Sequence, residues 1–270
     1  MLIGITGHKG VLAKSLIKHL KIKDNYQLSF YNHNILDFDK LSKWLQKLDV
    51  IIHLAAVTSV DKVEKNKTYA KKVNLNSVKY IVDYIYNSKK KRKLIFLSTS
   101  HVYSNSNTKI SEDGRIQPIS YYGRLKYEAE KHIQKKLSNF LIIRLFSYYS
   151  IFQSSDFLVP SLIKKIKYLK KNKLKLKNFN YVRDISSVDF VATQIFNLII
   201  KNAEGIINCG SGKGISLNTL AKEIAKKKFN KIIELDKRFY RKKTSKLVCD
   251  NTKLKEITSI DDPDNLFKYL

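Results

Sequence analysis

Two hydrophobic rhythms alternate along this chain. One is the short, continuously apolar run of a strand covered on both faces. The other places apolar residues every three or four positions, as one side of a helix requires. Leu2–Thr6 is a run of the first kind; Gly7-His8-Lys9-Gly10 interrupts it, and Val11, Leu12, Leu16, Ile17 and Leu20 follow at helical spacing. Residues 26–31 predict a second strand. Phe38, Leu41, Trp44, Leu45 and Leu48 predict a second helix, with Asp37 placed to cap it. The run 50–54, the helical stretch 73–86, the run 94–97, the helical stretch 122–137 and the run 141–145 continue the alternation. Wholly apolar strands separated by helices predict a parallel sheet covered on both faces, an α/β doubly wound Rossmann fold.

Beyond residue 147 the rhythm loosens. Residues 147–156 read as a loop rich in Ser and Tyr, 157–171 as a basic helix and 173–181 as a short extended segment. Val188–Ile200 is strongly helical again, and 205–208 predict a short strand ending in Cys209-Gly210. The expected division is a Rossmann domain over 1–147, rejoined by 182–210, with a small C-terminal α+β lobe built from 148–181 and 211–270. A ligand is expected in the cleft between that lobe and the carboxyl ends of the strands.

Composition changes this picture little. The 270 residues are 43% apolar, which suffices for a core and excludes wholesale disorder. No stretch approaches the ~20 apolar residues of a membrane span, so no membrane partner is expected. The apolar start has no basic n-region, so no signal peptide is expected either. Cys209 and Cys249 match no metal or redox spacing. That pattern predicts no metal site and suits a reducing, cytoplasmic setting. Fifty-two Lys+Arg against 23 Asp+Glu give a net charge of +29, which invites a nucleic-acid reading. Only seven of those cations are Arg, the side chain that reads phosphate and guanine as a planar fork, and the lysines are scattered over many segments. The charge therefore reads as solvated surface rather than as a nucleic-acid site.

Two motifs carry chemistry. In Thr6-Gly7-His8-Lys9-Gly10-Val11-Leu12-Ala13, glycines after a strand let the backbone turn tightly and aim N–H groups and a helix dipole at a pyrophosphate. Ala13 stands where a third glycine is usual and still permits close packing. In Tyr122-Gly123-Arg124-Leu125-Lys126 the Tyr and Lys are four apart and share a helix face. A nearby ammonium and a cationic nicotinamide both favour the phenolate, so the Tyr122 pKa is expected to lie below ~10. Upstream, Leu97-Ser98-Thr99-Ser100 ends a strand with hydroxyls. The order of Gly-rich turn, strand-end hydroxyls and Tyr-x-x-x-Lys says more than any one of them.

With these motifs the chain resembles the extended short-chain dehydrogenases/reductases, the sugar-nucleotide epimerase, dehydratase and reductase group. Further shared pieces are residues 49–56 (Asp-Val-Ile-Ile-His-Leu-Ala-Ala), Val73-Asn74, Val102-Tyr103, Arg144-Leu145-Phe146, Val182-Arg183-Asp184 and Asn208-Cys209-Gly210-Ser211-Gly212. The resemblance implies that Tyr122 exchanges a proton with the sugar oxygen. It implies that Lys126 holds the nicotinamide ribose, and that Thr99, four residues before Tyr103, is the catalytic hydroxyl. Gly7, Gly10, Val11 and Leu12 would lie along the pyrophosphate, Ala55 and Ala56 along the cofactor, and Asn34 at its adenine end. Arg183 would grip a substrate diphosphate, with a surface ion pair to Asp184 or Asp189 as the alternative. His101 occupies a position where some relatives carry a second acid–base group; an exposed loop histidine is the other reading. Ser147 stands where many relatives have a substrate-binding Asn.

The short link Asn32-His33-Asn34-Ile35-Leu36 and the sequence of the phosphate turn resemble the reductases of 4-keto-6-deoxy sugar nucleotides. No acid follows strand two, and Lys9 could meet a 2′-phosphate, so NADP is favoured slightly over NAD. The expectation is an NAD(P)-dependent reductase of a nucleotide-linked sugar, cytoplasmic and homodimeric through the helices at 73–86 and 122–137. A sugar-nucleotide epimerase with retained NAD, a non-catalytic dinucleotide sensor and a polyanion-binding protein are the alternatives.

Overall fold

The computed structural model describes residues 1–22, 25–170, 172–176, 180–236 and 245–259. The first half alternates as its hydrophobic pattern predicts: β1 (Leu2–Thr6), α1 (Val11–Leu20), β2 (Gln27–Phe30), α2 (Phe38–Leu45) and β3 (Val50–His53). Asp37 caps α2 by accepting from the Lys40 N–H at 3.2 Å. Two short helices that the pattern did not disclose follow, α3 (Val60–Lys65) and α4 (Lys67–Lys71). A π-helical turn over Lys72–Asn76 then leads into α5 (Ser77–Tyr86). The expected single helix at 73–86 is therefore divided. Next come β4 (Lys93–Thr99), a 3₁₀ turn at Ser100–Val102, α6 (Tyr121–Lys136) and β5 (Phe140–Leu145).

In the second half, β6 (Ser147–Tyr149) occupies the start of the expected loop. Then follow α7 (Leu158–Lys167), β7 (Lys173–Leu174), β8 (Val182–Ser187), α8 (Val188–Ile200) and β9 (Gly205–Cys209). The described chain closes with β10 (Gly214–Ser216), α9 (Leu217–Phe229), β11 (Glu234–Leu235), β12 (Lys246–Leu247) and α10 (Thr252–Thr258). The remainder of the lobe segment, 260–270, lies outside the described residues.

The main sheet is parallel and ordered β2-β1-β3-β4-β5-β9. Its strands are apolar on both sides because both faces are covered. Ile51 and Phe96 point into a core shared with α2, α5 and α6, whereas Ile3, Ile5 and Ile52 point into one shared with α1, α8 and α10. This is the doubly wound architecture the sequence predicts. The chain leaves β1 to one side for β2 and returns on the other side as β3, which makes the carboxyl end of β1 a topological switch point. The short link 31–37 leaves no room for an outer strand beyond β2.

The segment 182–210 divides between the two parts of the molecule. β9 is the last strand of the main sheet, whereas β8 joins β10, β12 and β6 in a second sheet. That sheet, α7 and α9 enclose the lobe's own core, with Tyr149, Leu162, Ile166, Ile185, Leu220 and Ile224 buried together. No helix among the described residues is long and apolar enough to cross a membrane.

Candidate active site

A cleft of about 1020 Å³ opens at the switch point and runs from the Gly7 turn to the start of α7. Gly7 has φ +67°, and a Cβ there would stand 2.7 Å from the Ala55 nitrogen. Only glycine fits that crossing of two chain segments. The turn closes with the Gly10 N–H donating to Gly7 O at 3.0 Å. Gly10 then begins α1 with no side-chain cap, so the first N–H groups of α1 face the cleft without an intrahelical acceptor. Thr6 Oγ1 accepts from the N–H groups of Leu54 and Ala55, each at 3.2 Å, and stands 3.0 Å from His53 Nδ1. The ends of β1 and β3 are thereby held together beneath the turn. Burial, with the Lys126 charge, lowers the His53 pKa to about 3, so the imidazole is neutral.

The loop after β3 is fixed from the opposite side. Asn74, on the π-helical turn, accepts from the Val57 N–H and donates to Val57 O, both at 2.8 Å. A π-helical turn moves one side chain out of register, and here that side chain is the clamp on a cleft-lining loop.

Tyr122 and Lys126 lie one turn apart on α6, both buried, both lining the cleft. Ser120 caps the helix by accepting from the Gly123 N–H at 3.1 Å. Gly123 lets α6 approach the 3₁₀ turn, since a Cβ there would collide with the His101 carbonyl oxygen. Lys126 Nζ donates to Leu97 O at 2.7 Å, and burial lowers its pKa to about 7. The Tyr122 pKa is raised, by burial first and then by Tyr148. Among the protein's own groups, burial outweighs the lowering that Lys126 alone was expected to give. Desolvation opposes both charged forms, and the ammonium that was to favour the phenolate is itself disfavoured. Tyr122 is a neutral phenol in this cleft.

Thr99 ends β4 and accepts from the His101 N–H at 3.2 Å. Its neighbour Ser98 points away and donates to Glu130. His101 is half-buried, not an exposed loop residue. Its Nδ1 is 3.2 Å from Ser120 Oγ, its ring meets Tyr122 edge-on at 6.0 Å, and burial, with the Arg183 charge, lowers its pKa to about 4.

The cleft brings together Gly7, Lys9, Gly10, Val11, Leu12, Asn34, Ala55, Ala56, Thr99, His101, Tyr122, Lys126 and Ser147. Arg183 is not among its lining residues. Its guanidinium donates to Val182 O at 2.8 Å, to Ser245 O at 2.9 Å and to Ser245 Oγ at 3.0 Å, and packs over the Tyr181 ring. Nor does it pair with the acids near it in sequence. Asp184 accepts from Ser211, Gly212 and Cys249, and Asp189 from Ser15. The sequence reading missed Tyr31 and His33 at one end of the cleft, and Tyr148, Phe152 and Gln153 at the other. None of these carries a periodic signal; only the Ser- and Tyr-rich composition of 147–156 marked the second group. Across the mouth, Lys62 of α3 meets Asp156 of the segment before α7 at 2.6 Å. No cluster of His, Cys, Asp or Glu suited to a metal occurs among the described residues.

Comparison with known proteins agrees with this geometry. Over 148 residues the chain is 30% identical to dTDP-4-dehydrorhamnose reductase of Aggregatibacter actinomycetemcomitans, matching 52% of this chain and 49% of the relative. It is 28% identical over 220 residues to dTDP-D-glucose 4,6-dehydratase of Dictyostelium discoideum, matching 72% and 49%. The chain thus spans about half the length of these relatives. The solved UDP-glucuronic acid 4-epimerase of Bacillus cereus, in complex with UDP-glucuronic acid and NAD, superposes with a TM-score of 0.86 at 22% identity, covering 100% of this chain and 96% of that one. That likeness shows that the two chains share one fold. The pattern of the RmlD substrate binding domain family matches residues 1–253, and the chain belongs to that family.

Proposed function

We propose that the protein is an NAD(P)-dependent oxidoreductase of a nucleotide-linked sugar, reducing a 4-keto-6-deoxyhexose with Tyr122 as proton donor. The observation that carries this reading is a single cleft with an uncapped helix start and a glycine crossing at one end and the Thr99, Tyr122 and Lys126 side chains at the other. A dinucleotide fits the first end. The N–H groups opening α1 suit a pyrophosphate, and the close approach at Gly7 leaves its backbone open to it. Asn34, Ala55 and Ala56 line the path, and Lys126 stands where it can hold ribose hydroxyls. When bound, the dinucleotide supplies the hydride. The protein supplies the proton and the position.

Tyr122 must hold its proton until the sugar oxygen becomes basic, and a raised pKa keeps it protonated at neutral pH. Thr99 offers a second hydroxyl to the same oxygen. Ser147 and the lobe, taken as 148–181 with 211–270, would bind the sugar nucleotide. Arg183 would need to release its carbonyl partners to reach a diphosphate. The missing acid after β2 and the exposed Lys9 support NADP over NAD. The exposed Tyr86 on α5 supports a homodimer through α5 and α6, and the two buried free thiols support a cytoplasmic setting.

The test is the cofactor. Nucleotide released from the purified protein is identified by mass, and NADH and NADPH are then titrated. Exchangeable NADPH consumed on adding a 4-keto-6-deoxy sugar nucleotide is the expected result. NAD retained through gel filtration would turn the reading to an epimerase. Binding of neither nucleotide would overturn it.

A further inference from the structure

The lobe ends in a basic surface that the cleft does not use. β7 and β11 pair in parallel, with Lys173 opposite Glu234. Because α7 runs into β7 and α9 into β11 by short links, the carboxyl ends of both helices come to the same end of the lobe. The last turn of α7 carries Lys164, Lys165 and Lys167, and that of α9 carries Lys226, Lys227 and Lys228, all exposed. No Asp or Glu occurs anywhere from Leu158 to Leu176. Lysines near a helix carboxyl end offset its dipole, which accounts for part of this set. It does not account for Lys170 and Lys173, which lie beyond the helix and, with Lys175, Glu234 and Asp236, help line a concavity of about 860 Å³. Two large apolar side chains stand among these charges, Tyr168 at 69% exposure and Ile232 at 86%.

We propose that this lobe tip docks on an anionic lipid surface. The residue types select that partner. Lysine is a compact, hydrated point charge suited to a diffuse anionic plane, and the described residues of the tip carry lysine and no arginine. Ile232 offers a nucleic acid base neither a hydrogen bond nor a stacking ring, whereas an exposed aliphatic group among cations is what a headgroup boundary accepts. Contact of this kind needs no spanning segment. The geometry also keeps the cleft free. Leu158 and Val159 at the amino end of α7 line the cleft, while Lys164, Lys165 and Lys167 sit in its last turn, ~9–14 Å farther along the helix. Docking by the tip holds the cleft off the surface.

Co-sedimentation of the full chain with vesicles tests this. Phosphatidylcholine vesicles with added phosphatidylserine should capture the protein at ~0.1 M salt, and phosphatidylcholine alone should not. Reversing Lys164, Lys167, Lys170 and Lys173 to Glu should lower the partition by about two orders of magnitude. Reversing four lysines of the main-sheet domain, Lys18, Lys21, Lys43 and Lys47, should leave it within about threefold, since α1 and α2 pack on the main sheet and not on the lobe. Tyr168→Ser with Ile232→Ser should weaken capture severalfold and leave a purely salt-sensitive remainder. Cofactor binding by each variant checks that its fold is intact. No capture at ~0.1 M salt, equal loss in both charge reversals, or equal tip-dependent capture by single-stranded RNA would overturn the proposal.

Discussion

At the scale of single residues, burial sets the protonation of the candidate centre. Tyr122 stays a phenol and Lys126 falls to about 7 for the same reason, the cost of placing charge among apolar neighbours. Tyr122→Phe keeps the ring and removes the proton; turnover should fall at least ~100-fold while cofactor affinity changes little, measured by steady-state kinetics and titration. Lys126 leaves a second signature. Its folded pKa lies below the ordinary value of 10.5, so between pH 7 and 10.5 the unfolded chain binds more protons than the native one. Stability therefore rises with pH through that window and falls as pH drops toward 7. Lys126→Met should remove this rise, read as the difference between wild-type and variant urea midpoints across pH. The Tyr122–Lys126 pair was legible in the sequence because a helix fixes what four residues apart means. Where Arg183 points was not, because its acceptors on Ser245 are 62 residues away along the chain.

Among elements, the strands and long helices could be read because apolar periodicity reports burial, and these elements are buried. α3 and α4 could not. Val63 and Ala70 are their only buried residues, two positions within a polar, lysine-rich stretch. β6 was hidden for a different reason: three residues gain strand geometry only by pairing with β8, 38 positions later. The π-helical turn gives no local signal either, yet it places Asn74. Replacing Asn74 by Ala would leave the Val57 N–H and C=O without partners. The expected cost is ~1–3 kcal/mol in urea unfolding, with faster hydrogen exchange in the 54–59 loop.

For the molecule as a whole, several residues noted in the sequence only as shared motif positions prove to be one buried network. Ser98 and Arg144 both bond Glu130, Arg144 donates to Tyr103 at 2.7 Å, and Tyr103 donates to Asn208 at 2.7 Å. β4, α6, β5 and β9 are joined through it. Glu130→Ala would strand the Arg144 guanidinium in the core and should cost ~3–5 kcal/mol in chemical unfolding, far more than Ser98→Ala. The Lys62–Asp156 pair is the opposite kind of contact. It is exposed on both sides, contributes little to stability, and is weakened by salt. Because it ties α3 to the segment leading into α7 over the mouth, its effect belongs to residence time more than to affinity. In stopped-flow release measurements, cofactor should leave wild-type protein faster as ionic strength rises. Asp156→Asn should leave fast at every salt concentration. The traffic through this cleft would then be governed by the electrolyte around it, with dilute buffer lengthening each stay and cellular salt shortening it.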